Sequence, residues 1–94
     1  MNSDDFEWDA DKAALNAAKH GVAFEMASDA FADPFAITWV DVRRDYGEHR
    51  ILLLGMVEGR LLSVTHTMRG QRFRIISARA AGMAERRKYY DAQA

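Results

Sequence analysis

Cysteine is absent from this chain, and proline occurs once, at Pro34. Without thiols there is no disulfide scaffold and no cysteine zinc site, which fits a reducing compartment. No apolar run approaches the ~20 residues of a membrane-spanning helix. The opening "MNSDDFEWDADK" is acidic and lacks the basic and apolar stretches of a secretory signal, so a soluble cytoplasmic protein with no membrane partner is expected. Three histidines, at 20, 49 and 66, lack metal-site spacing and no HExxH occurs. Neither a metal site nor a cofactor is expected. A phosphate-binding glycine loop and a nucleophile elbow are missing too.

What is present is enough for one domain over residues 1–94: 49% of residues are hydrophobic and 29% charged. The net charge of −1 hides a division. Before position 49 there are eleven acids against four bases, giving −7; from 49 onward there are nine bases against three acids, giving +6. Eight of those nine bases are arginine, the side chain whose planar fork suits phosphate. Such asymmetry points to an anionic partner, nucleic acid included. The competing explanation is a solvated surface whose charges cancel across the fold.

Along the chain, Phe6-Glu7-Trp8 reads as a short edge strand. Asp9 offers an N-cap for "ADKAALNAAKH", which Gly21 stops with Lys19 and His20 in its last turn. A second helix follows, with Phe24, Ala27 and Phe31 on one face and Asp33-Pro34 closing it. From 35 the period changes: "FAITWVDV", "RILLLGMV", "RLLSVTHTM" and "RFRIISAR" are strand-like, separated by "DYGE", "EGR" and "RGQ". They predict an antiparallel meander of four strands, with the doubly apolar "ILLLGMV" central. A helix over roughly 80–92 closes the chain, with a weak apolar stripe of Met83 and Tyr90. The class is α+β: two N-terminal helices, the meander with its possible short edge strand, and a C-terminal helix.

Strand alternation then sorts the arginines. Phe73 and Ile75 select the core side of their strand and leave Arg72 and Arg74 on the other. Arg79 belongs nominally to the Phe73 side, at a strand end where alternation is unreliable. In the neighbouring strand Leu62, Val64, His66 and Met68 face the helices, while Ser63, Thr65, Thr67 and Arg69 face away. With Arg50 opening a further strand nearby, several guanidiniums are expected to converge on one polar face, as a sugar-phosphate backbone requires. Scatter of these side chains, or neutralisation of each by its own carboxylate, would count against that expectation.

Simpler roles compete at each position. Arg60 decorates a hairpin end, and Arg86, Arg87 and Lys88 form the solvated face of a helix. His66 lies in the apolar register as a core histidine, and His49 sits in a turn. Lys19 and His20 suit the negative end of their helix, worth ~0.3–1 kcal/mol. Glu85 pairs locally with a basic neighbour. Trp8 and Trp39 are core or interface residues. Helix-turn-helix docking fits poorly, because the early helices are acidic.

Residues 6–34, "FEWDADKAALNAAKHGVAFEMASDAFADP", resemble the opening signature of the BrnT toxin family. The Phe-x-Trp-Asp start is followed by Lys12, Asn16, Lys19-His20-Gly21-Val22, Phe24 and Asp33-Pro34. The second half matches through Gly47-Glu48-x-Arg50, Gly55, Gly59-Arg60, Thr67-x-Arg69-Gly70, Arg74-Ile75-Ile76-Ser77-Ala78-Arg79 and Glu85-Arg86. Met26 and Met68 stand where such proteins often carry polar residues.

The resemblance implies a RelE-like domain and a type II toxin that cleaves RNA and halts translation. It also implies a BrnA-type antitoxin that binds operator DNA and forms a hetero-oligomer with the toxin. Carried over at family-like positions, Arg50, Arg69, Arg74 and Arg79 are the expected catalytic arginines. Lys19 and His20 are candidates for proton transfer, and Arg72, Thr65, Thr67, Arg86 and Arg87 for RNA contact. The chemistry expected is metal-independent attack by the ribose 2′-hydroxyl. A rival from another class is a binding module whose basic face docks an acidic partner without chemistry.

Overall fold

The computed structural model describes residues 5–43, 45 and 47–94. Arg44 and the Tyr46 of the expected "DYGE" turn lie outside them. The elements are β1 (Phe6–Glu7), α1 (Ala10–His20), α2 (Phe24–Asp29), a 3-10 helix (Ala30–Ala32), β2 (Ile37–Val40), β3 (Ile51–Val57), β4 (Arg60–Arg69), β5 (Arg72–Ala80) and α3 (Met83–Asp91). The five strands form one sheet in the order β1-β5-β4-β3-β2. β2 to β5 are the expected antiparallel meander, and β1 joins its edge parallel to β5, so the sheet is mixed. β3 is interior as its apolar faces require, although β4 holds the middle place.

Local chemistry sets the boundaries. Asp9 caps α1 by accepting the Lys12 N–H at 3.0 Å, and the helix stops at Gly21, whose N–H donates to the Ala17 carbonyl at 2.9 Å. The second helix differs from expectation: α2 ends at Asp29 and its last turn tightens into the 3-10 helix. Pro34 is the reason, since it bars Asp33 from the helical region and the chain must leave early. The β3–β4 hairpin turns through Glu58 and Gly59 at φ 49° and 81°, the left-handed pair that matches strand twist. Gly55 has a different task. A Cβ there would stand 2.3 Å from the Ala30 carbonyl oxygen, so glycine lets the 3-10 helix lie directly on β3.

Two apolar clusters hold the sheet. Phe24, Ala27, Ala30 and Val22 pack on Leu53, Leu62, Val64, Ile75 and Ala78 on the helix side. On the opposite face Tyr89 of α3 packs with Leu54 and Leu61, beside Ile37 and Trp39. The expected stripe on α3 is therefore corrected: Met83 is 84% exposed and Tyr90 47%, while Tyr89 is buried. Tyr89 goes in because its hydroxyl reaches Asp33 at 2.5 Å, and Asp33 also accepts the Met56 and Phe35 N–H groups. The Lys88 ammonium lies 4.2 Å from the centre of the Trp39 ring. Among the described residues no helix is long and apolar enough to cross a membrane.

Candidate functional site

The face of the sheet that α3 leaves uncovered is polar. Across β4 and β5 the paired residues are Ser63 with Arg79, Thr65 with Ser77, Thr67 with Arg74, and Arg69 with Arg72. Simple alternation would put Arg79 among the core residues. A bulge prevents this: the register slips between Thr65 and His66, which pair with Ser77 and Ile75, leaving Ile76 as an extra residue on β5. One extra residue inverts the alternation beyond it. Ala78 then turns to the core, and Arg79 joins Arg72 and Arg74 on the open face.

Each of the four expected catalytic arginines has a carboxylate beside it. Glu7 of β1 accepts from Arg74 at 2.6 Å and stands 3.6 Å from Arg69. Glu85 takes both terminal nitrogens of Arg79, at 2.7 and 3.0 Å, and accepts the Ser63 hydroxyl at 3.1 Å. Arg50 donates through Nε to Glu48 at 3.2 Å. Arg69, Arg72, Arg74 and Arg79 thus share a face, but a carboxylate stands beside each expected catalytic arginine, which counts against a freely cationic surface. Only the Arg79 pair is forked, which fixes the plane of that guanidinium, and its Nη1 also donates to the Ala80 carbonyl at 3.2 Å. Glu85 has its acidity strengthened: burial pushes its pKa up, but the bonds from Arg79, the Gly82 N–H and Ser63 outweigh this and hold it below the ordinary value.

The remaining expected residues divide into two groups. Thr67 donates to the His49 carbonyl at 2.7 Å, and so ties β4 to the start of β3. Thr65 is half-buried on the open face, and Arg72 faces Arg69 with no salt bridge among the described residues. Arg86 and Arg87 lie on the exposed side of α3, away from this register. Arg86 stacks 5.8 Å from the Tyr90 ring centre, and Arg87 lines a hollow with Met83 and Ala84. Lys19 and His20 line another hollow, of about 210 Å³, with Lys12, Leu15, Asn16, Ile76 and Ser77. Ser77 belongs both to this hollow and to the open-face register between Arg79 and Arg74. His66 is a core residue, 2% exposed between Phe31 and Phe73.

Glu7 was not foreseen. Its signal lay in the "FEW" alternation, which sends Phe6 and Trp8 inward and Glu7 to the face of the arginines. Only the parallel pairing of β1 with β5 makes that placement visible. A larger hollow, about 620 Å³, is lined by Asp41, Asp45 and Glu48 with Val40, Val42, Gly47 and His49. Its carboxylates would repel a phosphate.

Fold and face together describe a small α+β domain whose open sheet surface carries arginines and hydroxyl side chains. The family model of the ribonuclease toxin BrnT of type II toxin–antitoxin systems matches residues 8–85, and the chain belongs to that family. Such a toxin has RNA as its target and an antitoxin as its partner. Comparison with curated proteins returns no match.

Proposed function

We propose that the chain is a RelE-like endoribonuclease domain that cuts RNA without a metal ion and so stops translation. The ribose O2′ attacks the adjacent phosphorus, a bond forms there, and the bond from phosphorus to the 5′ oxygen breaks. The products are a 2′,3′-cyclic phosphate and a 5′-hydroxyl end. The proton leaving O2′ goes to a general base, and the departing oxygen receives one from a general acid. Negative charge grows on the phosphoryl oxygens, and Arg74 and Arg79, with Arg69 and Arg50, would stabilise it. Lys19 and His20 are the proton carriers that this scheme favours.

The observation that carries this reading is the family match joined to the bulge, which supports a shared role for Arg74 and Arg79 on one face. Incubation of RNA with the purified chain in chelator, followed by end-group analysis, tests it. Cyclic phosphate ends are expected; intact RNA with a verified fold would overturn it. The paired arginines favour one rival, a binding module that docks an acidic segment by exchange of its ion pairs. Inhibition by a BrnA-type antitoxin would use the same face through charge complementarity. That partner would bind operator DNA and form a hetero-oligomer with the toxin.

A further inference from the structure

Among the described residues, the outer edge of β5 beyond Phe73 and Arg74 has no strand beside it, because β1 pairs with those two residues alone. Asn16 closes one point of that edge. Its Nδ2 donates to the Ala78 carbonyl at 2.8 Å and its Oδ1 accepts the Ala78 N–H at 3.0 Å, as a neighbouring strand would. The same Nδ2 donates to the Val22 carbonyl at 2.9 Å. One buried amide thereby fixes α1, the loop after it and β5 together. Next to this clasp the bulge displaces Ile76 and Ser77, and the 210 Å³ hollow opens against α1.

The lining of the hollow differs from the arginine face. Lys12, Asn16, Lys19 and His20 fall on one side of α1 at helical spacing. Among the described residues neither lysine has a salt bridge, and the Ser77 hydroxyl has no hydrogen-bond partner. Leu15, 70% exposed, adds an apolar wall. Exposed lysines without a salt bridge, an unengaged hydroxyl and an exposed apolar side chain together suit a nucleotide better than a simple anion or an acidic peptide. Ser77 links this hollow to the arginines, since it lines the one and stands in the register of the other.

We infer that the hollow is a subsite for the nucleotide flanking the cleaved link of single-stranded RNA. Lys12 and Ser77 hold its phosphate beside Lys19 and His20, Leu15 meets its base, and Asn16 acts as the positioning residue. This rests on the proposed ribonuclease activity.

The test measures binding of a 2′-O-methylated single-stranded RNA oligonucleotide, which cannot be cut, over a range of salt. Lys12→Gln and Lys12→Glu remove or reverse one exposed charge and should keep the wild-type melt. Both should weaken binding several-fold, and Lys12→Gln should lower the slope of log K against log salt by about 0.7. In cleavage assays the loss should fall on KM. Arg60→Gln, which removes a charge from the β3–β4 hairpin, should retain the wild-type slope. Wild-type affinity and slope in both Lys12 variants, with RNA cleavage intact, would overturn the subsite alone. So would a fall in kcat with unchanged affinity. Failure of the wild-type chain to bind any RNA would overturn the subsite and the ribonuclease proposal together.

Discussion

Glu85 grips Arg79 through both carboxylate oxygens, at 2.7 and 3.0 Å, from a helix that begins only after β5 has ended. The same carboxylate accepts the Gly82 N–H at 2.9 Å and the Ser63 hydroxyl at 3.1 Å. A helix start, a strand end and the middle of β4 are thus fixed around one guanidinium. Arg74 is held by a single contact, from its Nη1 to one carboxylate oxygen of Glu7 at 2.6 Å.

Activity should depend on these guanidiniums far more than stability does. The Arg79 side chain is 40% exposed, so its ion pair adds only about 0–1 kcal/mol to folding. Arg79→Ala should therefore keep the fold. It should lower cleavage about 10²–10³-fold, the usual loss when a donor to a developing oxyanion is removed. Arg74→Ala should behave likewise in cleavage, and both should abolish growth arrest on expression. Persistent toxicity in both variants would place the site elsewhere.

Acidification should weaken the fold through His66 before it reaches the carboxylates. Burial lowers the His66 pKa below 6.5, opposed in part by a backbone hydrogen bond at Val64, and Nδ1 has no hydrogen-bond partner. The folded state thus binds this proton less readily than the unfolded chain. The stabilising contribution is complete above pH 6.5 and declines as pH falls below it. Thermal melts of the wild type should drop across that window, and His66→Phe should flatten the decline. An unchanged profile in the variant would show that another group titrates there.

A second acid limb belongs to Asp33. Burial pushes its pKa up, but the bonds from the Tyr89 hydroxyl and the Met56 and Phe35 N–H groups outweigh this and hold it below 3.8. Its contribution is present above 3.8 and is lost as pH falls through the lower folded value. Burial and the Asp33 carboxylate push Tyr89 up to about 12, so the hydroxyl remains a donor at neutral pH. Tyr89→Phe should cost about 1.5–3 kcal/mol in denaturant unfolding and shrink this acid limb. Equal stability of the two proteins would show that α3 does not depend on the bond.

Gly55→Ala should be among the harshest changes of one methyl group. The added carbon would meet the Ala30 carbonyl oxygen at 2.3 Å, and this contact is backbone against backbone. A loss of about 1–3 kcal/mol is expected by denaturant titration. A loss under ~0.5 kcal/mol would mean that the 3-10 helix shifts easily on β3.

The elements were legible in the sequence because their signals are local. Asp9 and Gly21 mark α1, and alternation with glycine turns marks β3 to β5. The face of Arg72 and Arg74 followed from Phe73 and Ile75. Arg79 did not, since a bulge arises from strand pairing and Ile76 carries no residue-level mark of it. Tyr89 was hidden for a related reason: its burial depends on Asp33, which lies far from it in sequence. The compensation of the arginines was legible only in part, as the expectation that Glu85 pairs with a basic neighbour. Glu7 and Glu85 reach them only through the parallel β1–β5 pair and the docking of α3. Lys19 and His20 could be named from the helix end and the family signature, but the hollow they share with Ser77 depends on the Asn16 clasp.

The most direct measurement is end-group analysis of RNA treated with the purified chain in excess chelator, beside Arg74→Ala and Arg79→Ala proteins of verified fold. The wild type should leave 2′,3′-cyclic phosphate and 5′-hydroxyl ends, while the variants leave the RNA nearly intact. Uncut RNA with the folded wild type, or equal cutting by all three proteins, would contradict the account.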